Sequence, residues 1–196
     1  MSAVLWRGWL RVLTVALCCS CGLLRAPAGE AAERIEVRDA RLELQDDYWQ
    51  LNAEFRLELT PRLQEAVNRG LPLYFTVEFE MTRPRWYWLD EKAVSASINY
   101  RLSFNALTRQ YRLSTGSLQL GFATLAEAIG VMTRVRNWRV AERGALKPGG
   151  NYLAEVRMRL DVSQLPKPFQ INAITDREWT MESDWRRFNF TVEGAR

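Results

Sequence analysis

The sequence predicts a mainly β domain, an antiparallel two-sheet sandwich (immunoglobulin-like) with two short helices. Three observations carry this. Apolar and polar residues alternate strictly in successive segments, and turn residues such as Gln45-Asp46-Asp47, Asn105-Ala106 and Pro148-Gly149-Gly150 separate them at hairpin spacing. Two segments open with helix-start residues, Thr60-Pro61 and Thr124. A membrane-spanning barrel would use similar alternation, but two capped helices, a proline-rich crossover and a charged terminus at Arg196 favour the sandwich, with a small closed barrel as the alternative.

In chain order, Arg7 and Arg11 precede an apolar run from Val12 to Leu24, the pattern of a secretory signal and shorter than the roughly 20 residues of a membrane span. Residues 1–28 read as a signal peptide. Small residues in Ala26-Pro27-Ala28 and Gly29-Glu30-Ala31-Ala32 place cleavage between 28 and 32, leaving residues 33–196 as one β-rich domain without a transmembrane segment. The expected location is the periplasm. An alternative is a lipid anchor through Cys21, although Cys18-Cys19-Ser20 lacks the leucine usual three residues upstream.

Ile35, Val37, Ala40, Leu42 and Leu44 predict a first strand whose face shifts near Asp39, as at a bulge. Trp49 to Leu59 alternates without a fault and predicts its hairpin partner. Pro61 to Arg69 is predicted as a helix, stopped by Gly70. Leu73 to Met81 alternates again. Val94 to Phe104 and Leu107 to Leu113 predict a second hairpin, with Leu118, Leu120 and Phe122 as a short third member. Thr124 with Glu127 makes a capping box for a helix through about Val135. Trp138 and Val140 give a short strand, and Tyr152 to Val162 a long one. The prolines of Leu165-Pro166-Lys167-Pro168 exclude a central ladder and predict an edge or crossover, before last strands at Ile171–Ile174 and Trp185–Val192.

The stretch after Met81 carries the candidate site. If alternation continued unbroken, Arg83 and Arg85 would point into the core while Trp86 and Trp88 faced water, which is energetically backwards. A bulge or strand end at Pro84 reverses both assignments and buries the tryptophans. In the competing reading, Arg83, Arg85, Trp86, Trp88 and Asp90 form a partner or ligand surface on which a sugar or a protein stacks.

The chain from Glu33 onward has no histidine and no cysteine, which removes disulfides, thiol nucleophiles, the usual zinc ligands and histidine bases together. Asp46-Asp47 and Asp90-Glu91 lack the spaced ligand series of a calcium loop and read as solvated turns. There is no Gly-x-Ser-x-Gly or Ser-x-x-Lys motif. No cofactor or metal is expected, and no enzymatic activity. Residues 33–196 carry 24 basic and 22 acidic side chains, a net +2, with the arginines alternating with acids along strands instead of clustering, so no nucleic-acid partner is expected.

Three blocks, Arg83-Pro84-Arg85-Trp86-Tyr87-Trp88-Leu89-Asp90-Glu91-Lys92, Leu107 to Leu113 and Arg157 to Phe169, together with Ser183-Asp184-Trp185, resemble the bacterial family catalogued as domain of unknown function 4390. The resemblance spans nearly all of the chain after the signal and brings no functional residues with it. It implies an exported protein of Gram-negative bacteria, often encoded beside a membrane sensor kinase of nitrogen regulation. The expectation is a non-enzymatic protein-binding module of the cell envelope. Alternatives are a β-sandwich or barrel that binds an apolar or sugar ligand, and a carboxylate-based hydrolase.

Overall fold

The computed structural model describes residues 35–85, Tyr87 and residues 91–193. The signal peptide and Cys21, and with them Trp86, Trp88 and Asp90, lie outside the described residues. Twelve elements follow in order: β1 (Ile35–Gln45), β2 (Tyr48–Leu57), α1 (Pro61–Asn68), β3 (Leu73–Arg83), β4 (Glu91–Asn105), β5 (Gln110–Thr115), β6 (Leu118–Phe122), α2 (Leu125–Met132), β7 (Arg134–Glu142), β8 (Asn151–Leu160), α3 (Lys167–Thr175) and β9 (Arg186–Thr191). They build two antiparallel sheets, β1-β2-β7 and β6-β5-β4-β3-β8-β9. The fold is mainly β with three short helices.

Each hairpin follows from local chemistry. Asp46 and Asp47 both take positive φ (50° and 64°), the two-residue turn whose twist suits a hairpin, and they join Gln45 to Tyr48. Gly116, at φ 53°, opens the equivalent two-residue turn between Thr115 and Leu118. The register of β1 on β2 shifts between Val37 and Asp39, as the change of face in the sequence required.

Alternation fills the core from both sheets. Trp49, Leu51, Ala53, Phe55 and Leu57 of β2 face Leu73, Phe75, Val77, Phe79 and Met81 of β3 and Tyr152, Ala154, Val156, Met158 and Leu160 of β8, in one buried cluster. The Phe79 ring meets Trp138 of β7 edge-on at 6.4 Å, and Trp49 meets Phe190 of β9 at 5.1 Å, so aromatic pairs tie one sheet to the other. Three strands are too few to cover a face six strands wide, since neighbouring strands are only about 4.8 Å apart. Helices help cover the remainder: α1 packs on β4, and α2 on β5 and β6.

The caps of α1 are complete. Thr60 Oγ1 accepts the Leu63 amide at 3.0 Å and donates to the Glu178 carbonyl at 2.8 Å. At the other end Gly70 (φ 92°) lets Leu71 N–H reach Ala66 O and Gly70 N–H reach Val67 O, which satisfies the last carbonyls.

Several expectations are corrected. Pro166 and Pro168 start a third helix, α3, where an edge or crossover was expected, and Ile171–Ile174 lies in that helix and not in a strand. The physical reason is that a proline in the first helical turn lacks only an amide that has no intrahelical acceptor anyway. The second helix ends at Met132, and Val135 belongs to β7, which runs for nine residues. Two register shifts against β2 erase the alternation of β7; at one of them Asn137 takes φ 51° and donates its amide to Asn52 Oδ1 at 2.9 Å. Leu107 and Arg109 lie in the β4–β5 turn, held by Asn105 Oδ1 accepting the Leu107 and Thr108 amides, and β5 starts at Gln110.

One turn gives a sharp test. Gly150 is buried where an added Cβ would stand 2.9 Å from the Lys147 carbonyl oxygen and 2.8 Å from Tyr152 Cε2, while the Tyr152 hydroxyl accepts the Lys147 amide at 2.9 Å. Gly150→Ala is expected to destabilise the domain by about 1–3 kcal/mol through overpacking. A urea midpoint equal to that of the wild type would reject this account of the turn.

Candidate functional site

The stretch selected from sequence forms the connection between β3 and β4. β3 ends at Arg83, so Pro84 stands outside the strand. Arg83 is half-buried and pairs in register with Glu91. Arg85 is exposed and forms an ion pair with Glu91, whose carboxyl is held below the usual carboxylate range by that hydrogen bond and by the Arg85 charge. Tyr87 is exposed. Of the five residues proposed, the structure thus brings Arg83 and Arg85 together around Glu91, a residue outside the proposed set.

A larger polar constellation covers the outer face of the six-stranded sheet. Glu78 of β3 lies in register opposite Arg157 of β8 and beside Arg159. Arg157 Nε donates to Glu78 Oε2 at 2.7 Å and Arg159 Nε to Oε1 at 2.8 Å, so one carboxylate is held by two guanidiniums. Arg157 also stacks over Trp185 at 4.5 Å, and Arg159 Nη1 approaches Asp161 at 3.7 Å. Burial would raise the Glu78 carboxyl, yet the two hydrogen bonds and positive charges outweigh it and hold it below the ordinary value. That carboxylate is ionised at neutral pH, unsuited to act as a general acid. Sequence reading passed over these residues because charges at alternate strand positions look like any solvated face; only the cross-strand register brings them together.

Two concave surfaces have apolar floors. The first, about 480 Å³, lies between α1 and the segment holding Phe169 and Trp179, whose rings are 5.1 Å apart. Its rim is charged: Arg62 pairs with Glu178 at 3.1 Å and Asp176 at 3.3 Å, and Arg69 pairs with Glu65 at 2.6 Å. Phe169 belongs to α3, a helix with no fully buried residue, on which Ile171 and Ile174 are 65% and 84% exposed. Three positions apart, they share one helix face. The second surface, about 470 Å³, opens where β1 and β9 end and is lined by Leu42, Leu44, Trp49, Leu146, Pro148 and Phe190, with Arg143 at the side. Both volumes fall within the range of about 300–1,000 Å³ typical of small-molecule sites.

Among the described residues no group of three or more acidic side chains is placed to hold a metal ion, and no helix is long and apolar enough to cross a membrane. No curated protein and no solved structure matches the chain. The sequence model of one family, described as Domain of unknown function (DUF4390), matches residues 32–189, from just before β1 into β9. The match covers well over half of the chain and all but the last two residues of the sheet framework, and on that ground the protein belongs to the DUF4390 family.

Proposed function

We propose that this domain is a non-enzymatic protein-binding module of the cell envelope, located in the periplasm, with the outer part of a membrane sensor kinase as the partner to test first. One observation carries the reading: α3 holds Ile171 and Ile174 outside the core, on the helix face turned away from Phe169 and the cleft it lines. Two isoleucines that share a mostly exposed helix face add little to the domain's own packing, and an exposed apolar pair of this kind marks an interaction surface. The occupant is a protein segment that places apolar side chains on Ile171 and Ile174.

The double variant Ile171→Asp/Ile174→Asp separates binding from folding. Its unfolding free energy is expected to stay within about 0.5 kcal/mol of wild type, as for surface substitutions in general. Binding to the purified outer part of the kinase is expected to weaken by about 2 kcal/mol or more, roughly thirtyfold. Undiminished binding would discard this surface. A second reading, a pocket for an apolar ligand, is favoured by the cleft between the ends of β1 and β9. It requires a ligand that raises the melting temperature of wild type and not of Leu42→Arg.

A further inference from the structure

A six-stranded and a three-stranded sheet leave four edge strands, and three of them carry devices that discourage pairing with another chain. β1 is bulged at Arg38 and lined by Glu36, Asp39, Arg41 and Glu43. β7 is bulged twice and carries Arg134, Arg136 and Arg139. β9 opens with Arg186 and Arg187. Charges and bulges are the usual means by which proteins blunt sheet edges. β6 has neither: it reads Leu118-Gln119-Leu120-Gly121-Phe122, pairs with β5 in an unshifted register, and among the described residues has no strand on its other side.

The geometry of the hairpin fixes what this edge offers. In a hairpin closed by two residues the flanking pair, here Thr115 and Leu118, exchanges both hydrogen bonds, so Leu118, Leu120 and Phe122 turn their amides toward β5. Gln119 and Gly121 turn theirs outward. The side chains of Leu118, Leu120 and Phe122 share the face of Leu113, which is the core side, and yet Leu118 is 54% and Leu120 37% exposed.

We infer that β6 is a self-association edge, and that two copies of this chain pair antiparallel through it about a two-fold axis at Leu120. The segment is complementary to itself about that residue. Leu120 meets its own symmetry mate, Leu118 meets Phe122 of the other copy as an aliphatic–aromatic pair, and Gln119 lies over Gly121, which has no side chain to oppose it. The outward amides and carbonyls of Gln119 and Gly121 form about four hydrogen bonds across the axis. No charge stands against a like charge, and the same patch serves both copies, as a two-fold interface requires. α2 packs over β5 and β6 with Val131 exposed, which extends the apolar strip beyond the strand itself. The two sheets join into one of twelve strands.

Sedimentation of the purified chain over a range of concentrations tests this. Wild type is expected to show a reversible monomer–dimer equilibrium. Leu120→Lys and Leu120→Glu, which each place like charges on the axis, are expected to weaken dimerisation at least tenfold when alone and to form a mixed dimer when combined. Should Leu120 variants fail to fold by circular dichroism, Gln119→Pro, which removes an outward amide from the open edge and none from the ladder with β5, is expected to weaken the dimer at least tenfold. A wild-type chain that stays monomeric at its highest soluble concentration overturns the inference. So does a wild-type-like dimer of folded Leu120→Lys or Gln119→Pro, because the contact then lies elsewhere.

Discussion

Phe79→Ala is expected to lower the unfolding free energy by about 3–5 kcal/mol, a large share of the roughly 5–15 kcal/mol that holds a domain of this kind together. Phe79 is fully buried at the middle of β3, opposite Ala96 of β4 and Val156 of β8. Both neighbours are small, so neither can expand into the space left by the ring. The ring is also the β3 partner of Trp138 across the sandwich, so its loss empties the seam between the sheets as well as the sheet itself. For a chain of this length the melting temperature should fall by about 6–20 °C. Urea unfolding should show a lower midpoint with an unchanged slope, the signature of lost stability without a changed denatured state. A midpoint shift equivalent to less than about 0.5 kcal/mol would mean that the two sheets do not pack through this residue.

Glu78→Ala carries the second large effect, expected at about 2–3 kcal/mol, because hydrogen bonds to charged groups are worth more than neutral ones and two are lost at once. Removing the carboxylate leaves Arg157 and Arg159 side by side, both half-buried, with Glu182 3.9 Å from Arg157 and Asp161 3.7 Å from Arg159. The sign of the pH dependence follows from the direction of the shift. The folded-state value of Glu78 is lowered, so its stabilisation is present above the ordinary glutamate range near about 4.3 and fades as pH falls through the lower folded value. Wild type should therefore lose stability on acidification below about pH 4.3, and Glu78→Gln should show a shallower loss over that window. Equal acid profiles for the two proteins would remove Glu78 as the source.

Sequence and structure agree where one face alone decides the pattern. Trp49 to Leu57 and Leu73 to Met81 alternate because each strand has one face in the core and one outside, and the β1 bulge was legible because Val37 and Ala40 break parity. β7 was legible only around Trp138 and Val140, since its two bulges disrupt the period that defines a strand. α3 was missed because Pro166 and Pro168 bar a central strand and open a helix equally well; the three-residue spacing of Ile171 and Ile174 was the available signal. The site was less legible than the fold. Arg83 and Arg85 could be singled out from local composition, but the pairing of Glu78 with Arg157 joins residues 79 positions apart, and it depends on which strand lies beside β3.

The placement of β8 has a consequence for how the chain reaches this structure. β8 enters between β3 and β9, and its ladder with β3 joins residues from 71 positions apart (Thr82 with Leu153) to 85 apart (Phe75 with Leu160). The second sheet is stitched in the same late manner, with Tyr48 opposite Glu142. Hairpins such as β1–β2 and β3–β4 form on a scale of about 1–10 μs, but closing these long loops brings the whole domain into the range of about milliseconds to seconds typical of non-local β topologies. Throughout that interval β3, whose Leu73, Phe75, Val77, Phe79 and Met81 are buried in the finished domain, presents an open edge. Aggregation competes with folding at this step, so refolding yield is governed by chain concentration while β3 waits for β8.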